Sequence, residues 1–160
     1  MGGSEVTAIG PGAEAVAATV EAVVAAMGLD ARVVAAGPDE SDLEVSVVGD
    51  GTSALVGRGG ETIDALQYLL GQVASRAEGG NRRRVTLDAD GYRARREAAL
   101  IELAEQAARE AVEFGDEIEL DAMTPHDRRI VHMALKDRPG IVTRSEGEEP
   151  RRRIIVEPAE

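Results

Sequence analysis

Leu55-Val56-Gly57-Arg58-Gly59-Gly60-Glu61-Thr62-Ile63-Asp64-Ala65-Leu66-Gln67-Tyr68-Leu69 is the stretch on which the fold turns. Leu55 and Val56 close a short helical segment that starts near Thr52, and the glycine tetrad then breaks it. From Thr62 to Ala74 a second helix is predicted, because Ile63, Leu66, Leu70 and Val73 recur on one stripe. Glycine lacks Cβ and accepts positive φ, so the turn lets another backbone come close. The helix that follows offers unpaired N–H groups and the positive end of its dipole, for which phosphate is the natural ligand. Arg58 adds a formal charge at the tip. Leu55, Val56 and Ile63 are candidate walls of an apolar groove, with bases lying against the strand Leu43 to Gly49. Taken alone, a Gly-x-x-Gly tetrad more often only turns a corner.

The neighbouring elements change that balance. Upstream, Val16, Val20, Val23, Val24 and Met27 predict an amphipathic helix from Ala13 to Met27, stopped by Gly28. Ala31 to Ala36 and Leu43 to Gly49 are β-branched runs joined by Gly37-Pro38-Asp39-Glu40, which reads as a hairpin with one buried face. Downstream, Glu78-Gly79-Gly80-Asn81 ends the second helix, and Arg82 to Leu87 predicts a third strand with Val85 and Leu87 on one side. Residues 1–12 are Gly-rich and aperiodic and are expected to be a disordered lead outside the fold. Helix, two strands, helix, glycine loop, helix and strand is the layout of a KH domain, whose loop clamps about four nucleotides.

Beyond it, Tyr92 to Val112 is the longest helical pattern, with Leu100, Leu103, Ala107 and Ala111 on its apolar stripe, and it is placed to bridge two modules. Glu117 to Leu120 is a candidate strand. Thr124-Pro125-His126-Asp127 is a strong helix start, with a Thr N-cap, Pro at the first helical position and an acid three residues after the cap. That helix must stop before Pro139-Gly140, and Ile141 to Thr143 and Arg152 to Val156 read as strands. Arg128 and His132, four apart on it, share a face. Without context, such a pair is most often solvated surface.

A chain of 160 residues with 43% apolar content can build a core, and with only Tyr68, Tyr92 and Phe114 as aromatics that core must be aliphatic. The absence of cysteine excludes disulfides, thiolate zinc sites and Cys nucleophiles. The net charge of −12 argues against indiscriminate coating of nucleic acid. Its distribution matters more. Residues 1–50 carry nine acids against one base, whereas residues 121–160 carry eight of each. All the basic residues except Lys136 are Arg, which offers planar donor forks to phosphates and bases. Arg82, Arg83 and Arg84 read equally as an extension of the loop surface or as a solvated strand edge. Arg93, Arg95 and Arg96 read equally as nucleic-acid contacts or as partners of Glu97 and Glu102.

The stretch Leu55 to Leu69 resembles the type II KH signature of the bacterial Jag family, also called KhpB or EloR. Met123-Thr124-Pro125-His126-Asp127-Arg128-Arg129-Ile130-Val131-His132, with Val142 to Arg151, resembles the R-three-H domain that follows it in those proteins. The match runs from about Glu14 to the C-terminus; many members place a separate domain ahead of the KH module. The family commonly has a basic residue at Arg58 and often another next to it, where this chain has Gly59 and so loses one phosphate contact.

The fold expected from this resemblance is α+β: a type II KH domain at 13–90, with a three-stranded sheet and helices on one face, joined by the long helix to a small α+β R-three-H domain within 91–158. The resemblance implies a nucleic-acid site at Arg128 and His132, with Arg129, Arg144 and Arg151 as nearby phosphate contacts. It implies single-stranded RNA as the ligand, and a role as RNA chaperone or post-transcriptional regulator in cell elongation, wall homeostasis and, in some bacteria, sporulation. A small KH-only protein as heterodimer partner and a link to the YidC-type insertase are implied as well.

Rival readings are single-stranded DNA binding and a protein-interaction module whose acidic half binds a basic partner such as a ribosomal protein. An enzyme is not expected. His126 and His132 are six apart and fall on different helix faces, so they do not form a zinc pair. No phosphate-binding Gly-x-x-x-x-Gly-Lys loop and no Ser, His and Asp arrangement occurs. No catalytic residue, metal or cofactor is expected. With no apolar run near the ~20 residues that span a bilayer, the chain is expected in the cytoplasm.

Overall fold

In the computed structural model, which describes residues 5–7, 10–37 and 42–159, the chain divides into two compact units between Tyr92 and Arg93. The first contains β1 (Glu5–Val6), α1 (Pro11–Ala26), β2 (Asp30–Ala36), β3 (Asp42–Asp50), α2 (Ser53–Val56), a single 3-10 turn at Arg58–Gly60, α3 (Glu61–Ala77) and β4 (Arg84–Ala89). The turn expected at Gly37 to Glu40 lies mostly outside the described residues.

Register assembles the core of this unit. β2 and β3 run antiparallel with Val33 opposite Val47 and Ala35 opposite Val45. β3 and β4 run parallel with Leu43 opposite Val85, Val45 opposite Leu87 and Val47 opposite Ala89. Because side chains alternate across a strand, these pairs put every buried residue of the three strands on one face. That face packs with Val16, Val20 and Val24 of α1, Leu55 of α2, and Ile63, Leu70 and Ala74 of α3. These three strands covered by helices on one face are the predicted KH architecture, and β1 joins them as a fourth strand in the order β1-β2-β3-β4. A burial of this kind stabilises by about 1.5–3 kcal/mol per large aliphatic side chain.

One expectation needs correction. The lead is not structureless throughout: Glu5 and Val6 pair in parallel with Val34 and Ala35 of β2, and α1 begins at Pro11. The reason is local: β2 is otherwise an edge with an open row of N–H and C=O groups, and Thr7 N–H also donates to Ala35 O at 2.9 Å. Pro11 sits at the start of α1, where its missing N–H costs nothing.

The second unit contains most of α4 (Tyr92–Phe114), then β5 (Ile118–Glu119), α5 (Pro125–Leu135), β6 (Ile141–Glu146) and β7 (Arg153–Pro158). Its sheet has the order β5-β7-β6, antiparallel throughout. Leu100, Ala104, Ala107, Ala108 and Ala111 form the buried stripe of α4 and pack with Val131, Leu135, Ile141, Ile154 and Val156. A stripe made largely of alanine lets the helix lie close to its neighbours. The Thr124 hydroxyl accepts from Asp127 N–H at 3.3 Å, so the predicted N-cap is in place. Two ion pairs clamp α4 to the α5 region: Arg96 with the buried Asp127 carboxylate at 2.7 Å, and Arg138 with Glu105. Among the described residues no helix is long and apolar enough to cross a membrane.

Candidate nucleic-acid interface

The glycine loop takes its shape from three residues of positive φ, namely Gly57 at 70°, Gly59 at 58° and Gly60 at 87°. A Cβ on Gly57 would collide with Thr62 Oγ1, and one on Gly60 would lie 2.8 Å from Tyr92 Oη. At Gly59 nothing lies within 4 Å, so that position is open. Arg58 and Gly59 are exposed and Gly60 is buried. Arg58 has no hydrogen bond or ion pair among the described residues. Glu61 and Asp64, in the first turn of α3, oppose an approaching anion. Attraction for phosphate at this end therefore falls to Arg58 and the backbone N–H groups of the helix start.

The groove is not where the sequence suggested. Leu55 and Ile63 are 1% and 0% exposed and belong to the core, so neither forms an accessible wall; Val56, partly buried, remains near the surface. β3 cannot receive base edges, because its neighbours β2 and β4 occupy both of its sides. The edge strand here is β4. A cavity of about 700 Å³ opens between it and α3. Asp64, Gln67, Tyr68, Gly71, Gln72 and Ser75 line it from α3, at the three- and four-residue spacings of one helix face. Gly80, Arg82, Arg83 and Val85 supply the other wall. The cavity begins one turn beyond the glycine loop.

The arginine run at its rim separates into three roles. Arg83 is buried and reaches Glu78 at 3.1 Å and the Asp42 carbonyl at 3.4 Å, which fixes the turn before β4. Arg84 pairs with Asp42 at 3.5 Å. Arg82 stays exposed on the cavity wall, with no partner among the described residues. Gln67 Oε1 accepts from Leu87 N–H at 3.0 Å and so covers part of the edge of β4. The sequence signal for this face was the spacing of Asp64, Gln67, Tyr68, Gly71 and Gln72, which share one face of α3 away from its buried Ile63, Leu70 and Ala74.

In the second unit, Arg128 and His132 part company. Arg128 is 8% exposed; its guanidinium donates to Met123 O at 2.9 Å, to both oxygens of Glu149 at 3.3 and 2.5 Å, and to Arg152 O at 3.5 Å. It is a strut joining the start of α5 to the turn before β7, with both terminal nitrogens of the guanidinium bonded inside the unit. The same contact holds the Glu149 carboxyl below its ordinary value, because the charged form accepts the Arg128 hydrogen bonds. Arg144, expected as a phosphate contact, is ringed by Glu146, Glu117 and Glu157. The Glu146 hydrogen bond, with these charges behind it, raises the Arg144 pKa further. Three carboxylates around one cation leave no net attraction for phosphate.

The open basic side chains lie elsewhere. Arg129 and His132 on α5 and Lys136 at its C-cap are exposed on one stripe, with Met133 between them. His132 Nδ1 lies 2.6 Å from Thr143 Oγ1, which orients the ring and leaves Nε2 without a partner among the described residues. Arg151 is exposed as well. Lys136 is the member of this stripe that sequence reasoning missed, although it follows Arg129 by seven residues, two helical turns. No cluster of three or more His, Asp or Glu able to hold a metal occurs among the described residues.

Comparisons with known proteins match both units. The KhpA/KhpB KH-domain family matches residues 13–87, and the R-three-H domain family matches residues 98–158. A Clostridium symbiosum protein named RNA-binding protein KhpB is 38% identical over 117 residues, which is 73% of this chain and 52% of that protein. One of the same name from Lactiplantibacillus plantarum is 41% identical over 102 residues, 64% of this chain and 31% of that protein. A third, from Bacillus subtilis, is 31% identical over 112 residues, 69% of this chain and 53% of that protein. The chain thus matches about half or less of the length of these relatives.

Proposed function

The chain belongs to the KhpB family, joining a KhpA/KhpB-type KH domain to an R-three-H domain, and on that premise we propose that it binds single-stranded RNA at two points. The first point is the loop Gly57–Gly60 with the cavity beside it. A phosphate sits over the loop against Arg58 and the N–H groups at the start of α3, and the following bases enter between α3 and β4. The second is the α5 stripe of Arg129, His132 and Lys136, with Arg151 nearby. Each is a weak contact alone, and covalent linkage raises the effective concentration for the second once the first has formed.

The observation that carries this reading is the loop itself. Three glycines of positive φ hold it, and the two residues at its tip, Arg58 and Gly59, are the exposed ones. The resemblance extends the proposal to a cytoplasmic RNA chaperone or post-transcriptional regulator acting in cell elongation and wall homeostasis. A small KH-only protein as partner and a functional link to a YidC-type insertase belong to the same extension.

The test is the paired substitution Arg58→Asp with Gly59→Asp, read by fluorescence anisotropy on labelled single-stranded RNA and on DNA of the same sequence. Affinity for RNA should fall by roughly tenfold or more as attraction becomes repulsion, with the melting temperature lowered only by the few degrees that a side chain at the positive φ of residue 59 costs. Unchanged affinity removes the loop from the mechanism. Equal binding of RNA and DNA would favour a general single-strand binder.

A further inference from the structure

We propose that Tyr68 is a base-stacking platform and gives the cavity between α3 and β4 a preference for unpaired purines, an inference that rests on the RNA-binding reading above. Tyr68 is 69% exposed, and it is the aromatic side chain that lines the cavity. Tyr92, by contrast, packs against the core of the first unit. Leaving so large an apolar ring in water forgoes the burial that aromatic residues usually obtain, and the ring stands where a flat ligand would cover it.

Its surroundings suit a nucleobase. Gly71, three residues along the same wall, has no side chain, so space opens beside the ring. Gln72 and Ser75 follow on that wall and offer donors and acceptors to base edges. Arg82 stands on the opposite wall, free of any partner among the described residues. A guanidinium plane stacks on a π-face as an aromatic ring does, so Tyr68 and Arg82 can hold a base between them. The volume of about 700 Å³ lies within the roughly 300–1,000 Å³ typical of ligand clefts. Purines present the larger face, and stacking strength is a source of sequence preference where hydrogen-bond readout is sparse.

The experiment compares Tyr68→Leu and Tyr68→Phe with the unaltered chain, using labelled oligo(rA) and oligo(rU) of equal length. The unaltered chain and Y68F should prefer oligo(rA), and Y68L should lose roughly five- to twentyfold on oligo(rA) with little change on oligo(rU). A 2-aminopurine within oligo(rA) supplies a second readout: its fluorescence should be quenched by the unaltered chain and Y68F and restored in Y68L. Y68L binding oligo(rA) as tightly as the unaltered chain, with quenching intact, overturns the platform while RNA binding stands. If the unaltered chain binds neither oligomer, the RNA-binding reading falls and takes the platform with it.

Discussion

Arg128 grips both carboxylate oxygens of Glu149, at 3.3 and 2.5 Å, across 21 residues of sequence, and this contact withdraws the first residue of the Arg-x-x-x-His signature from solvent. The signature therefore combines an internal strut with an exposed imidazole, and the two residues should respond differently to substitution.

Arg128→Ala leaves the Met123 and Arg152 carbonyls without their cationic donor. Lost hydrogen bonds to a charged group cost roughly 1.5–3 kcal/mol, so the second unit should unfold at lower denaturant. Chemical denaturation followed by circular dichroism checks this. RNA affinity measured well below the transition should change little, whereas a large loss at full folding would return Arg128 to the binding surface.

Arg129→Ala with Lys136→Ala should have the opposite signature. Both side chains are exposed, so stability should stay within about 0.5 kcal/mol. Two lost phosphate contacts should lower the slope of log affinity against log salt by about 1.4 for single strands. A titration series across salt concentrations gives the slope directly, and an unaltered slope would dismiss the α5 stripe.

The loop glycines should separate by geometry. At Gly57, a Cβ meets Thr62 Oγ1 and a positive φ together, so Gly57→Ala should cost about 2–3 kcal/mol. Gly59→Ala has open space and only the φ penalty, about 1 kcal/mol. Thermal melts of the two variants test the order; equal losses would mean that Thr62 moves aside.

Acid should loosen the second unit through Glu149. Its folded pKa is depressed below the ordinary 4.5 by Arg128, so its contribution is fully present above about pH 4.5 and is lost as pH falls through the folded value. Glu149→Gln should flatten this part of the stability curve below that pH and lower stability near neutrality. Urea midpoints across pH 3–7 reveal the difference; parallel curves for the two proteins would contradict it.

The fold was largely legible because periodicity and punctuation agree. Val85 and Leu87 alternate, Thr124 and Pro125 announce α5, and the glycine tetrad separates two helical patterns. The site was less legible because it depends on which donors are already engaged. A spacing of four places Arg128 and His132 on one face, yet nothing local reveals that Glu149 will close over one of them. Arg144 looks basic in sequence, and only register and folding gather Glu117, Glu146 and Glu157 about it. Leu55 and Ile63 flank the loop in the chain, but their positions on the helices turn them to the core. Glu5 and Val6 were invisible because so short a strand has no pattern and is recruited by the open side of β2.

Glu78, which Arg83 holds at the turn before β4, also fills the space where a side chain on Gly12 would stand, in the first turn of α1. The rim bearing Arg82 is thus seated on a remote helix, much as an arch is seated on its abutment. The width of the cleft becomes a property of the whole unit, adjustable from Gly12 by a change that touches no ligand.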